Sequence, residues 1–362
     1  VILRIMLSFI PRLHAIFSRN RKDSPDSFIF FLYGGIGDVI LTLPLINSIS
    51  SLGSTYVLCD RRICALKFLF PDTVNFIIYD KEALLFNTKK LRNKLHGINP
   101  VFIQTSPIFE AYLIGRLLRV NRSIGTILDF SHISSIGFKM ETSIIETKSR
   151  IDTYNKIYTK IREEFDFLES PLELSYRLTR EFKVIFNEFN NNYIVISPMK
   201  SEQWKMGKMD ISQYARIADY FVKKYNYKVI FVGSKSERRH IESIIKITSE
   251  VGIMNLAGRT NIEDLASILY HSKFVIANDN GIAHLSAYLD LKILVMYMFS
   301  DPKVYSWNGD NYEYIFNNKE GCMPCVSVNK YPRDNYPPLC KNNLECNKSI
   351  TSDNVIGKIH SL

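Results

Sequence analysis

The chain has 362 residues, 46 Lys and Arg against 36 Asp and Glu, a formal net charge of +10, and 46% hydrophobic with 23% charged residues. That length allows two domains of ordinary size. The mix is that of a soluble globular chain and excludes wholesale disorder, collagen-like repeats and coiled coil, and no apolar run is long enough for a polytopic membrane protein.

Residues 1–22, VILRIMLSFIPRLHAIFSRNRK, are apolar but interrupted by Arg4, Arg12 and His14, and they close on Arg19, Arg21 and Lys22. The stretch is too short and too charged to span a bilayer, and no small-residue cleavage site comes after it. Two readings stay open. One is a helix in the membrane interface, with its basic residues near acidic headgroups. The other is a leader packed on the protein or without order. Pro11 breaks or kinks any such helix. DSPDS at 23–27 is a turn-rich linker, so 1–27 is set apart from the rest of the chain.

Short apolar runs then alternate with helical segments. Strands are expected at 28–33, 55–59, 75–79 and 101–105, with a helix over 39–51 that Pro44 kinks. A helix is expected at 151–168, inside a looser stretch from about 130 to 190. The alternation restarts with a strand at 193–197 and a helix at 211–225, whose apolar positions share one face. A strand at 228–233 and a helix to about 248 come next. Thr260 and Glu263 read as a capping box opening a helix to Tyr270. Strands at 274–277 and 292–297 flank a short helix from 282. The pattern implies parallel sheets covered by helices. It divides into a Rossmann-like unit at 28–180, a second at 190–349 with a Cys-containing tail, and a C-terminal helix at 350–362. Ligands of such sheets bind beyond the carboxyl ends of the strands, so a cleft between the halves is the expected site.

Four places in the sequence bear on chemistry. GGIGD at 34–38 lies between a strand and a helix, where Gly34, Gly35 and Gly37 permit a tight turn and close approach, and the helix start offers amides to an anion. It is neither a GxGxxG fingerprint nor a P-loop. Asp38 there reads equally as a helix cap. NDNGIAHL at 278–285 repeats the strand-to-helix setting; Gly281 and the amides after it suit a phosphate, with Asp279 and His284 toward the same cleft. The bland alternative is a capping Asp and a partly buried His. Glu237, shortly after the strand ending at Gly233, is placed to meet ribose hydroxyls, or is a solvated helix residue. WKMGK at 204–208 offers Lys205 or Lys208 to a diphosphate, or two solvated lysines.

The ordered set GGIGDVILTLPLI, DISQYARIA, VGSKSE, LAGRT and NDNGIAHLSAYL resembles glycosyltransferase family 9, the ADP-heptose:lipopolysaccharide heptosyltransferases and relatives. The tail CMPC…C…C before SITSDNVIGKI is similar to that of many members, and the resemblance covers about 28–360. It implies a GT-B type α/β fold: two Rossmann-like domains facing a cleft, acceptor on the first, nucleotide sugar on the second. It implies Asp38 as general base, Glu237 on the ribose, and Asp279, Asn280, Gly281 and His284 at the phosphates and sugar. Lys208, in preference to Lys205, would meet the diphosphate. No cofactor or catalytic metal is implied. The partners implied are a nucleotide diphosphate sugar, ADP-heptose first, and a lipid-linked anionic glycan acceptor. The setting is cytoplasmic, with peripheral contact at the inner membrane, and the anionic partner called for by the net charge is not nucleic acid, for which no recognition motif is present.

The family usually has Ser or Thr where this chain has Asn280. It has glycine then proline where this chain has Met298 and Phe299. These departures bear on the donor sugar and on activity itself. Arg61, Arg62, Arg116, Arg119 and Arg122 suit an anionic acceptor or a solvated face. Cys322, Cys325, Cys340 and Cys346, spaced x2, x14 and x5, suit a tetrahedral zinc site or reduced packing thiols. Two alternatives remain beside heptosyl transfer. One is a same-fold transferase with another donor and surface glycan. The other is a catalytically silent nucleotide-sugar-binding protein. A dehydrogenase is disfavoured, because neither half has a GxGxxG turn.

Overall fold

Short runs rich in β-branched and aromatic residues build two six-stranded sheets, in which every strand pair is parallel. The structure is a computed structural model. It describes residues 25, 27–79, 92–93, 95, 100–105, 111, 114–115, 117–120, 122–126, 141–144, 149–165, 167, 181–184, 190–199, 207–316, 321–325, 340 and 343–360. The N-terminal segment 1–22 and Lys205 lie outside these residues.

The first half holds β1 (Ser27–Phe31), α1 (Ile36–Ser50), β2 (Ser54–Cys59), a 3-10 turn (Ile63–Leu69), β3 (Asn75–Ile78), β4 (Pro100–Gln104), β5 (Arg122–Gly125), β6 (Glu141–Ile144) and α2 (Arg150–Glu164). The second half holds β7 (Tyr193–Ser197), α3 (Ile211–Tyr225), β8 (Lys228–Phe231), a 3-10 turn (Lys235–Glu237), α4 (Arg238–Ile245), β9 (Ile253–Asn255), α5 (Ile262–Tyr270), β10 (Val275–Asn278), α6 (Gly281–Tyr288), β11 (Ile293–Tyr297), α7 (Pro302–Tyr305), β12 (Tyr312–Phe316), a 3-10 turn (Glu345–Lys348) and α8 (Ser352–Ile359).

The sheet orders are β3-β2-β1-β4-β5-β6 and β12-β11-β10-β7-β8-β9. Both are the doubly wound order, which reverses between β1 and β4 and between β7 and β10. Loops leaving the strands at such a reversal splay apart and open a crevice, so ligands bind there. The loop after β1 and the loop after β10 both leave at a reversal.

Strands β1, β7, β10 and β11 are buried along their whole length. That is why they read as continuous apolar runs and not as alternations. One continuous apolar cluster runs from Phe28 and Ile40 in the first half to Leu269 and Tyr288 in the second. Phe182, in the connection between the halves, packs edge-on to Phe68 at 6.2 Å and against Tyr270 at 5.4 Å. The carbonyls of Phe182 and Lys183 pair with the His271 ring and the Ser267 hydroxyl.

Three local expectations are corrected. The helix expected from 39 begins at Ile36, so Asp38 sits inside its first turn and Gly35 is the residue that precedes it. The helix expected to open on a Thr260–Glu263 box is capped by Asn261, whose side chain accepts from Asp264 N–H. The short strands β5, β6, β9 and β12 have no counterpart among the strands expected from the apolar runs.

Candidate active site

The loop Tyr33–Gly35 turns sharply out of β1. Gly34 has φ of +114°, open to glycine but strained for any other residue. The N–H of Gly35 donates to Asp38 Oδ2 at 3.0 Å, which settles one of the unpaired amides at the start of α1. Asp38 thus supports the helix end, as its bland reading required. Its side chain is nevertheless 41% exposed, and its other oxygen lies 4.0 Å from Arg150 Nη2.

Arg150 opens α2 and donates from Nη1 to the Thr105 carbonyl at 3.1 Å. Burial works against its charge, but Tyr154 and Asp38 outweigh burial and hold the guanidinium above its ordinary range. A fixed cation thus stands beside the Asp38 carboxylate. Arg150 does not stand out in the sequence, because it is one of many basic residues and lies 112 positions from Asp38.

Across from this loop lies the NDNG turn after β10. Asn278 is buried; it donates to the carbonyls of Pro198 and Gly207 and accepts from the Tyr214 hydroxyl. Asn280 caps α6 by accepting from Ile282 N–H and Ala283 N–H, and donates to Ser197 Oγ and the Met199 carbonyl. This corrects the expectation for Asn280 and for the amides after Gly281. Two of those amides and both ends of the Asn280 amide are spent within the protein. The Asn278 and Asn280 side chains therefore pin the loop that comes after β7.

Asp279, between them, faces the other way. It accepts a short hydrogen bond from the Ser300 hydroxyl, and its second oxygen lies 3.5 Å from His284 Nε2. His284 Nδ1 in turn accepts from Trp307 Nε1 at 3.0 Å. All four residues are buried.

The two loops touch. A Cβ on Gly37 would lie 2.7 Å from His284 Cδ2, so only glycine permits this approach. Gly281 likewise sits against Ile36 and Gly37. The residue before Asp38 on one half thereby lies against the His284 ring on the other.

Glu237 is buried and not a solvated helix residue. Its carboxylate accepts from Ser234 N–H at 2.5 Å, closing the turn after β8. Lys208 has its backbone N–H bound to Asn347 Oδ1 at 3.1 Å. Both lie beside His240: burial pushes that imidazole down, the Lys208 charge adds to this, and Glu237 opposes it. Lys208 and Glu237 therefore both act on the His240 ring.

Met298 and Phe299 are buried, Met298 in the core beneath the second sheet and Phe299 against Met323 and Cys346. Their side chains turn inward, and Ser300 is the residue of that run that reaches Asp279.

Among the arginines, Arg61 is exposed on the turn after β2, at the loop-bearing edge of the sheet. Arg62, on the same turn, binds Asp60 through Nε and Nη2 while its side chain stays 67% exposed. Arg122 is a correction. It opens β5, level with Val101 near the start of β4, at the edge opposite the loops. There it pairs with Glu164 and lies 4.6 Å over the Phe165 ring, so it ties α2 to the sheet and is remote from the loop-bearing edge.

None of the four late cysteines is joined in a disulfide among the described residues. Cys322 and Cys340 are exposed, and burial pushes the Cys346 thiol up. Among the described residues no three His, Cys, Asp or Glu side chains gather into a metal-ligand set. Cys322 and Cys340 act on the Cys346 thiol, and Cys346 packs with Phe299 and Met323 beside Cys325.

The chain is 29% identical over 119 residues to the lipopolysaccharide core heptosyltransferase OpsX of Haemophilus influenzae, a match that covers 32% of this chain and 33% of that protein. The match thus spans only a third of that relative's length. The fold is that of E. coli ADP-heptose lps heptosyltransferase II, with a TM-score of 0.68 at 14% identity, over 92% of this chain and 98% of that one. It is also that of E. coli heptosyltransferase WaaC solved with ADP, with a TM-score of 0.66 at 13% identity, over 92% and 99%. The profile of Glycosyltransferase family 9 (heptosyltransferase) matches residues 152–333, half of the sequence, and this chain belongs to that family.

Proposed function

We propose that this chain is an inverting glycosyltransferase that moves a heptose, or a related sugar, from a nucleotide diphosphate sugar to a lipopolysaccharide core acceptor. ADP-heptose is the first donor to try. The observation that carries this reading is the close approach of Gly37, the neighbour of Asp38, to His284, the partner of Asp279.

An acceptor hydroxyl is a poor nucleophile at neutral pH, so a positioned carboxylate must take its proton as the bond forms. Asp38 suits this role because it is accessible, held by the Gly35 amide and faced by Arg150. Attack from the side opposite the leaving diphosphate inverts the anomeric carbon. Lys208 stabilises the growing charge on that diphosphate. Asp279, an acceptor-only group, suits the hydroxyls of the sugar better than a phosphate. Glu237 takes the ribose, and Arg61 and Arg62 take an anionic group of the acceptor.

The features that favoured a silent binding protein were Asn280 and Met298. Their internal roles leave the corner around Asp279 intact, which supports the enzyme. None of the described helices is long and apolar enough to cross a membrane. A lipid-linked acceptor and the basic, apolar segment 1–22 support a peripheral position at the inner face of the cytoplasmic membrane.

The test is incubation of the purified chain with ADP-heptose and a heptose-deficient lipopolysaccharide core. ADP release together with a product heavier by one heptose is expected. Tight ADP-heptose binding with neither ADP release nor product would give the silent reading instead.

A further inference from the structure

Two groups beside the Gly37 contact can in principle accept a proton: Asp38 and His284. Histidine is the commoner general base among enzymes, so geometry has to decide between them. His284 Nδ1 lies 3.0 Å from Trp307 Nε1. An indole N–H only donates, so Nδ1 must be the bare, accepting nitrogen. A neutral imidazole carries its proton on one nitrogen, and here that leaves it on Nε2. Nε2 is the atom that lies 3.5 Å from the Asp279 carboxylate, itself an acceptor. The two neighbours of the ring thus ask for the same tautomer. Trp307 is held in turn by packing, with its ring centroid 6.1 Å from that of Tyr288 in α6.

We propose that Trp307 is a positioning residue that locks His284 as the Nε2–H tautomer. His284 then offers the site an N–H and no lone pair. It acts as a hydrogen-bond donor beside Asp279 and the sugar, and the acceptor's proton is left to Asp38. The lock takes its catalytic meaning from the transferase reading, but its structural half is testable without turnover.

The experiment uses the full chain with 15N-labelled histidine, read by two-bond proton–nitrogen correlation. The seven histidines are sorted by the signal lost in His284→Gln. The expected His284 pattern is a bare Nδ1 and a protonated Nε2. Replacing Trp307 by benzothienylalanine, which keeps the ring shape and removes only the N–H, should give a mixture of tautomers. Trp307→Phe, if folded, should do the same. A wild-type His284 protonated on Nδ1, or a tautomer unchanged by loss of the indole N–H, would overturn the lock. The kinetic arm is His284→Gln, whose amide can still accept from Trp307 and donate toward Asp279. Its kcat should fall by less than about tenfold, against the roughly 10²–10⁴-fold loss that removal of a general base brings. A loss of a hundredfold or more would make His284 the base. Absence of any turnover in the wild type would defeat the transferase reading while leaving the tautomer result standing.

Discussion

Asn278, Asp279 and Asn280 are consecutive, yet two of them staple loops and only the middle one pairs with Ser300 and His284. The staples give Asn280 an internal role: its amide both caps α6 and holds the Met199 carbonyl. Gly37 matters for the opposite reason, because it has nothing to place between α1 and His284. Gly37→Ala should stay folded, since its neighbours can part, but must push the His284 ring by more than a few tenths of an ångström. Misplacement on that scale costs up to about a hundredfold in turnover. Steady-state kinetics with circular dichroism as the fold control checks this; an Ala variant with normal turnover would remove the contact from the mechanism. At this scale the sequence revealed Asp38, Asp279 and His284 because each sits in a glycine-marked turn between strand and helix. It concealed Arg150, Ser300 and Trp307. Their roles come from contacts across the fold, and no local pattern distinguishes them from other Arg, Ser or Trp residues.

The elements were legible wherever burial was complete. Strands β1, β7, β10 and β11 are apolar throughout and stood out as runs. Strands β6, β9 and β12 lie at or near sheet edges, are three to five residues long and carry polar residues such as Glu141, Asn255 and Glu313. Neither length nor period separates such segments from loop. The Cys-containing tail was legible as a motif but not as a support. Its 3-10 turn places Asn347 against the Lys208 backbone, and Cys346 beside Phe299. The tail therefore steadies the loop that carries Lys208. Asn347→Ala should raise the KM for the nucleotide sugar by about 3–10-fold, the scale of one lost hydrogen bond, with kcat little changed. An unaltered KM would show that the loop holds itself.

At the scale of the whole molecule the two halves share one apolar cluster, with Phe182 wedged between Phe68 and Tyr270. Large hydrophobic contact of this kind couples domains that would otherwise move independently. Calorimetry should therefore show one unfolding transition, and Phe182→Ala should destabilise it as a unit by about 3–5 kcal/mol. Two separate transitions in the wild type would contradict the coupling. The net charge of +10 belongs to this scale too. Deleting residues 1–22 should reduce co-sedimentation with anionic vesicles, and equal binding by the shortened chain would remove that segment from any membrane role. The central claim is that the halves meet in order to set Asp38 against an acceptor hydroxyl, and Asp38→Asn tests it most directly. Asn can still accept from the Gly35 amide, so the melting temperature and the affinity for the nucleotide sugar should stay nearly unchanged. It cannot take the acceptor's proton, so turnover should drop by at least about a hundredfold. A folded Asn variant that transfers sugar at a near-normal rate would contradict the account and leave Asp38 as a support for the start of α1.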